Sequence, residues 1–167
     1  FRGEFGHIYY KKKFSHYRLR LEYRFTGEQC PGGPDWGLRN SGVMFHSQSA
    51  ESMGIDQDFP VSIEVQFLGG LGEGERSTLN VCTPGTDIDL NGVMVDGHCT
   101  NSDSKTYHGE QWVRAEIVVL GDSIIHHIIN GDTVLSYTNP RIGTDVMPEA
   151  YNVPHGTPLK AGYIALQ

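Results

Sequence analysis

Apolar and polar positions alternate most clearly in residues 60–70, where Val61, Ile63, Val65 and Phe67 interleave with Ser62, Glu64 and Gln66. Side chains two apart share a strand face, so this stretch predicts a strand with one buried side and a second side carrying a hydroxyl, a carboxyl and an amide. Pro60 can open such a strand but not sit in its ladder, and Gly69-Gly70 closes it. Residues 14–25 repeat the pattern: Tyr17, Leu19, Leu21, Tyr23 and Phe25 fall on one face, Arg18, Arg20, Glu22 and Arg24 on the other. Residues 40–46 predict a third strand, with Val43 and Phe45 inward and Asn40, Gly42, Met44 and His46 outward. Residues 113–120, 123–130 and 133–137, separated by Gly121-Asp122 and Gly131-Asp132, predict an antiparallel meander. Short strands are expected around 79–82 and 93–95, loop up to Pro158, and a last strand from Ala161.

Many strands, few helix signals and long loops predict an all-β domain of two packed antiparallel sheets, one curved into a groove. The length of 167 residues suits a single domain over the whole chain. The first residue is Phe1 rather than Met, so a processed or trimmed chain is expected. The formal net charge of −7 disfavours a phosphate-backbone partner. No run approaches the roughly 18 apolar residues of a membrane span. The three cysteines add compartment information. Cys82 and Cys99 bracket a loop-rich segment and are expected to pair, leaving Cys30 over, which implies an extracytoplasmic (periplasmic or secreted) protein. Three reduced cysteines in the cytosol are the alternative.

Candidate chemistry sits on the polar strand faces and in one loop. Glu64 and Gln66 share a face, and Glu22, Asn40 and His46 have the matching parity on their own strands, so all five are expected on one concave surface. Gly42 leaves a hollow there, as a ligand, a second backbone or a bulge would require. Arg20 and Glu22 line either a sugar-binding groove or a solvated face. Trp36, in the Pro- and Gly-rich loop 26–40, either packs on the core edge or offers a stacking platform for a sugar ring. His126 and His127 point to opposite faces, so at most one joins Glu64. Acidic pairs at Asp56/Asp58 and Asp87/Asp89 lack the calcium-loop pattern. No cofactor is expected, with calcium kept as the possibility these loops leave.

The segments YRLRLEYRF, GLRNSGVMFH, PVSIEVQFLGG, GEQWV, IIHHIING and GYIALQ, in this order, resemble the 3-keto-disaccharide hydrolase domain family, a concanavalin A-like jelly roll. The resemblance spans nearly the whole chain, with both ends trimmed relative to the family and a departure between 83 and 107. It implies a glycoside or oligosaccharide ligand and cleavage of a glycosidic bond, in a fold akin to the laminarinases. Retaining glycosidases need two carboxyls roughly 5–5.5 Å apart, whereas residues 60–70 offer only Glu64. A 3-keto sugar lowers that demand, because its ketone acidifies the C2 proton and permits elimination with one base and one donor to the enolate. Glu64 or a groove-facing histidine would be the base, with Gln66, Arg20, Arg39 or the other histidine polarising the ketone. Position in the family pattern favours His127, three residues before the Asn-Gly turn, with His46 as the remaining candidate. A non-catalytic sugar-binding module and a structural module remain as alternatives. Oligomeric state is not legible.

Overall fold

The computed structural model of the chain describes residues 5–143 and 151–167. Among them twelve strands form two antiparallel six-stranded sheets. In chain order these are β1 (Ile8–Phe14), β2 (His16–Tyr23), β3 (Asn40–Ser47), β4 (Ile63–Leu68), β5 (Asn80–Cys82), β6 (Thr86–Leu90), β7 (Val93–Met94), β8 (Cys99–Thr100), β9 (Val113–Leu120), β10 (Ile124–Ile129), β11 (Asp132–Ile142) and β12 (Gly162–Leu166). The first sheet runs β1-β12-β3-β4-β5-β8 and the second β2-β9-β10-β11-β6-β7. This is the open two-sheet sandwich expected, consistent with a jelly roll.

The alternation reads directly into the core. Val43 and Phe45 of β3 and Ile63, Val65 and Phe67 of β4 meet Val113, Ala115, Ile117 and Val119 of β9 and Ile125 and Ile129 of β10. Fully burying each such aliphatic or aromatic side chain contributes roughly 1.5–3 kcal/mol, so Ile117→Ala, at the centre, would cost about 2–5 kcal/mol. Leu19, Leu21 and Tyr23 complete the inner face of β2.

Several boundaries differ from expectation. The strand expected over 14–25 begins at His16, and β1 precedes it in the other sheet. The two meet at a corner where Ser15 Oγ donates to Lys160 O at 2.7 Å and Ser15 O accepts from Gly121 N at 3.0 Å. Lys11-Lys12-Lys13 breaks the period and hides β1, whose register is irregular between Tyr10 and Phe14. β6 lies unforeseen in the turn-dense stretch, anchored by buried Ile88 and paired with β11. β11 runs on to Ile142, past the expected end near Tyr137. The loop expected up to Pro158 lies partly outside the described residues. Cys82 and Cys99 are disulfide-bonded as expected, and Cys30 is free.

Candidate functional site

The outer face of the first sheet gathers polar side chains row by row. Met44 pairs with Glu64, and Glu64 with Cys82, which pairs with Cys99. Gly42 pairs with Gln66, and Gln66 with Asn80. On β12 Ala165 pairs with both Met44 and Tyr9, so Tyr9 and, two residues before it, His7 belong to this face of the sheet, as does Gln167, whose N–H donates to Gly42 O at 3.0 Å. Asn40, two residues before Gly42, completes it.

Glu64 is the electrostatic centre. It is only 6 % exposed, and no hydrogen bond to its carboxyl is found among the described residues. Loss of water therefore falls on the charged form uncompensated, and burial pushes its pKa up from 4.5 to about 7. Gly42 explains where the carboxyl goes: a Cβ at that position would stand 2.6 Å from Oε1 and 3.0 Å from Cγ. The side chain thus lies over the backbone of β3 in a hollow that any other residue would fill.

The neighbours are held by backbone and by each other. Asn80 Nδ2 donates to Gln66 Oε1 at 3.2 Å, while Asn80 Oδ1 accepts from Ser102 N at 2.9 Å and from Ser77 Oγ at 2.9 Å. Gln66 thereby has its oxygen fixed and its amide donors available. Asn40 Nδ2 donates to Trp36 O at 3.2 Å. Its Oδ1, with Gln167 Oε1 and His7 Nε2, is buried without a partner among the described residues. Buried polar atoms are normally satisfied, and three orphaned atoms on one face mark where a ligand or water belongs. Burial lowers the pKa of His7, so its imidazole is neutral at pH 7.

An aromatic cluster borders these groups. Phe5 stacks on Trp36 with centroids 5.4 Å apart and planes 5° from parallel, and Phe59 packs on Phe5 at 5.0 Å and near His7 at 6.1 Å. Trp36 remains 52 % exposed. Beside it a cavity of about 300 Å³ is lined by Phe5, Trp36, Arg39, Asn40 and Gln167, together with the loop through Cys30. Arg39 Nη1 donates to Gly109 O at 2.7 Å.

Of the side chains expected on one surface, Glu64, Gln66 and Asn40 are together, with Trp36 and Arg39 at the adjoining cavity. Glu22 is not among them. Its strand lies in the second sheet, its alternation points it away from the sandwich, and Arg114 Nε holds its Oε1 at 3.1 Å. Arg20 shares that remote face, paired with Glu116 at 2.6 Å. Parity holds along β2, but parity does not say which sheet a strand joins. His46 departs for another reason. Between Met44 and Ser47 β3 carries one residue more than β12 opposite, and His46 takes φ +47°. This bulge turns the ring across the sandwich, where Nε2 donates to Gly121 O at 2.9 Å. His127 lies wholly inside the core. Its Nδ1 donates to Leu79 O at 2.8 Å and its Nε2 accepts from Tyr137 Oη at 2.8 Å, and burial drives its pKa down to about 4. His126 faces outward on the second sheet, bonded to Ser136 Oγ at 2.7 Å.

Asp89 binds Arg141 at 2.8 Å and Asn139 Nδ2 at 2.8 Å, and Asp87 is 3.6 Å from His155. Among the described residues no group of three or more His, Cys, Asp or Glu is disposed around a metal ion. His7 and Gln167 were missed by sequence reading. In residues 5–10 both faces carry large rings, which masks the 5, 7, 9 alternation that would have placed His7.

The described strands thus form an antiparallel β-sandwich with a desolvated carboxyl and orphaned polar atoms on one sheet's outer face. The chain belongs to the family described as the 3-keto-alpha-glucoside-1,2-lyase-like domain, whose model matches residues 1–167, and its function is accordingly carbohydrate-related. No curated protein matches the sequence. Among the described residues no helix is long and apolar enough to cross a membrane.

Proposed function

We propose that the protein cleaves the glycosidic bond of a 3-keto-glycoside, such as a 3-keto-disaccharide, by elimination, with Glu64 as the base. The observation that carries this reading is the Glu64 carboxyl, unpaired and folded over Gly42, with a pKa of about 7. A base poised near the working pH combines adequate ionisation with adequate proton affinity. The carboxylate removes the C2 proton, and the C2–H electron pair forms C2=C3 as the carbonyl pair moves onto O3. When the enolate collapses, the C1–O bond breaks. The departing oxygen takes the proton from Glu64, giving a free alcohol and an unsaturated keto sugar that water can hydrate at C1.

Gln66, its oxygen tied to Asn80, offers amide donors to ring hydroxyls, and Asn40 and Gln167 offer acceptors. Trp36 and Phe5 present apolar surface to the C–H face of a sugar in the adjoining cavity. The disulfide beside Glu64 supports an extracytoplasmic setting, where such bonds persist. A binding-only module is the second reading, favoured by the small exposure of Glu64, 6 %. The deciding experiment incubates the protein with a 3-keto-disaccharide and with the same unoxidised disaccharide, and follows the released sugar. Turnover of the keto sugar alone is expected. Glu64→Gln should abolish it while keeping sugar affinity, and loss of neither would remove Glu64 as the base.

A further inference from the structure

We infer that His7 is a second catalytic residue of this site, its Nε2–H donating to the C3 ketone oxygen of a sugar held between it and Glu64. The inference rests on the elimination reading and supplies the electrophile that reading lacks. Three observations place it. His7 lies on the Glu64 face of the first sheet, in the row of Gln167, Gly42 and Gln66. Its Nε2 is buried with no partner among the described residues, as are the side-chain oxygens of Gln167 and Asn40 on the same face. The Glu64 carboxyl, meanwhile, leans away from its own strand to lie over Gly42 of β3.

The strand order β1-β12-β3 puts two spacings, roughly 10 Å, between the backbones of His7 and Gly42. At that backbone spacing an imidazole on the β1 side and a carboxyl over β3 can address a single sugar ring from its two ends. In a 3-keto sugar the acidic C2–H and the C3 oxygen are on adjacent carbons, so a base and a donor approaching from opposite ends can address both. Gln167, directly after β12, lies between them, and the missing side chain at Gly42 lets the Glu64 carboxyl lean toward the His7 side of the sheet.

The charge state fits the role. Burial keeps the imidazole neutral, so Nε2–H stabilises the enolate oxygen through a hydrogen bond without surrendering a proton that would trap the intermediate as an enol. A neutral imidazole serves in the same manner in triosephosphate isomerase. The proton ledger is unchanged: C2–H passes to Glu64 and then to the leaving oxygen, while His7 begins and ends with its proton. Phe59, 6.1 Å from the imidazole ring, limits its freedom to turn.

The test uses a methyl 3-keto-α-glucoside and two readouts. In turnover, His7→Phe should lower kcat about 100-fold, as loss of one enolate donor does, with KM changed less than about threefold. His7→Gln, which keeps an N–H donor, should recover part of that loss. In the Glu64→Gln protein, which holds the sugar intact, the ¹⁵N resonance of His7 Nε2 should shift on saturation with the ligand, a readout independent of whether the His7 variants fold. Wild-type turnover, abolished by Glu64→Gln but within about threefold in His7→Phe, overturns the His7 assignment alone. So does an unmoved ¹⁵N resonance at saturation. A wild-type protein that leaves the keto sugar intact overturns the elimination reading beneath it.

Discussion

Glu64 and Cys82 stand directly opposite each other in the β4–β5 ladder, so the disulfide to Cys99 ties β8 to the strand that pairs with the Glu64 backbone. The bond closes a loop of similar length to those for which cross-linking is worth about 3 kcal/mol. Cys82→Ala with Cys99→Ala should lower the unfolding free energy by about that amount in denaturant titrations. Loosening β8 should also admit water to Glu64 and move the pH midpoint of turnover to lower pH.

Gly42→Ala tests the hollow under the carboxyl. The added methyl meets the end of a flexible side chain at 2.6 Å but also Val65 O at 3.1 Å. The carboxyl will swing away while the strand gives only slightly. Turnover should fall more than about tenfold with a stability loss near 1 kcal/mol, read from steady-state kinetics and thermal unfolding of the same sample.

The pH response has a definite sign. Turnover needs ionised Glu64 and should rise through about pH 7. Stability runs the other way for this group: folded Glu64 holds its proton from about pH 4.5 to 7, where the unfolded chain has lost it, so stability falls as pH rises across that window. A shift from 4.5 to about 7 corresponds to about 3 kcal/mol. His127 opposes it. Its folded pKa of about 4 lies below the ordinary 6.5, so its contribution is lost as pH falls from about 6.5 to 4, and His7 and His46 are lowered too. Glu64→Gln should therefore be more stable than wild type at pH 7.5, and should lose stability steeply on acidification where the wild type changes little. Urea titrations at pH 5 and 7.5 would show it.

His127→Leu should separate core from site. It strands Leu79 O and Tyr137 Oη inside the sandwich, each costing about 1–3 kcal/mol. The folded fraction should keep wild-type kcat, because the ring lies between the sheets, away from Glu64. A kcat reduced with stability intact would return His127 to the site.

The face of each residue was legible where apolar and polar positions alternate strictly, as in residues 60–70, and there Glu64 and Gln66 fell as expected. Sheet membership was not, because period two is the same in either sheet, and this misplaced Arg20 and Glu22. A single-residue bulge has no apolar signature, so His46 was assigned by a parity that reverses at that residue. For His127 isoleucines on both sides left periodicity silent, and the family position pointed to a ring that the core had taken. His7 was hidden by aromatic residues on both faces of its strand.

The corner at Ser15 leaves β1 and β2 as the edge strands of the two sheets on the same flank of the sandwich. Between them opens an apolar cleft of about 680 Å³ bordered by Ile8, Tyr10, Leu19, Leu21 and Leu166, with Ile8 77 % exposed. An unpaired edge beside exposed apolar side chains invites strand-to-strand aggregation. Lys11, Lys12 and Lys13 stand on that edge as charged gatekeepers, with Lys13 resting over the Tyr163 ring at 5.4 Å. Colloidal solubility at this flank therefore depends on three ammonium groups, and will suffer under conditions that acetylate or screen them.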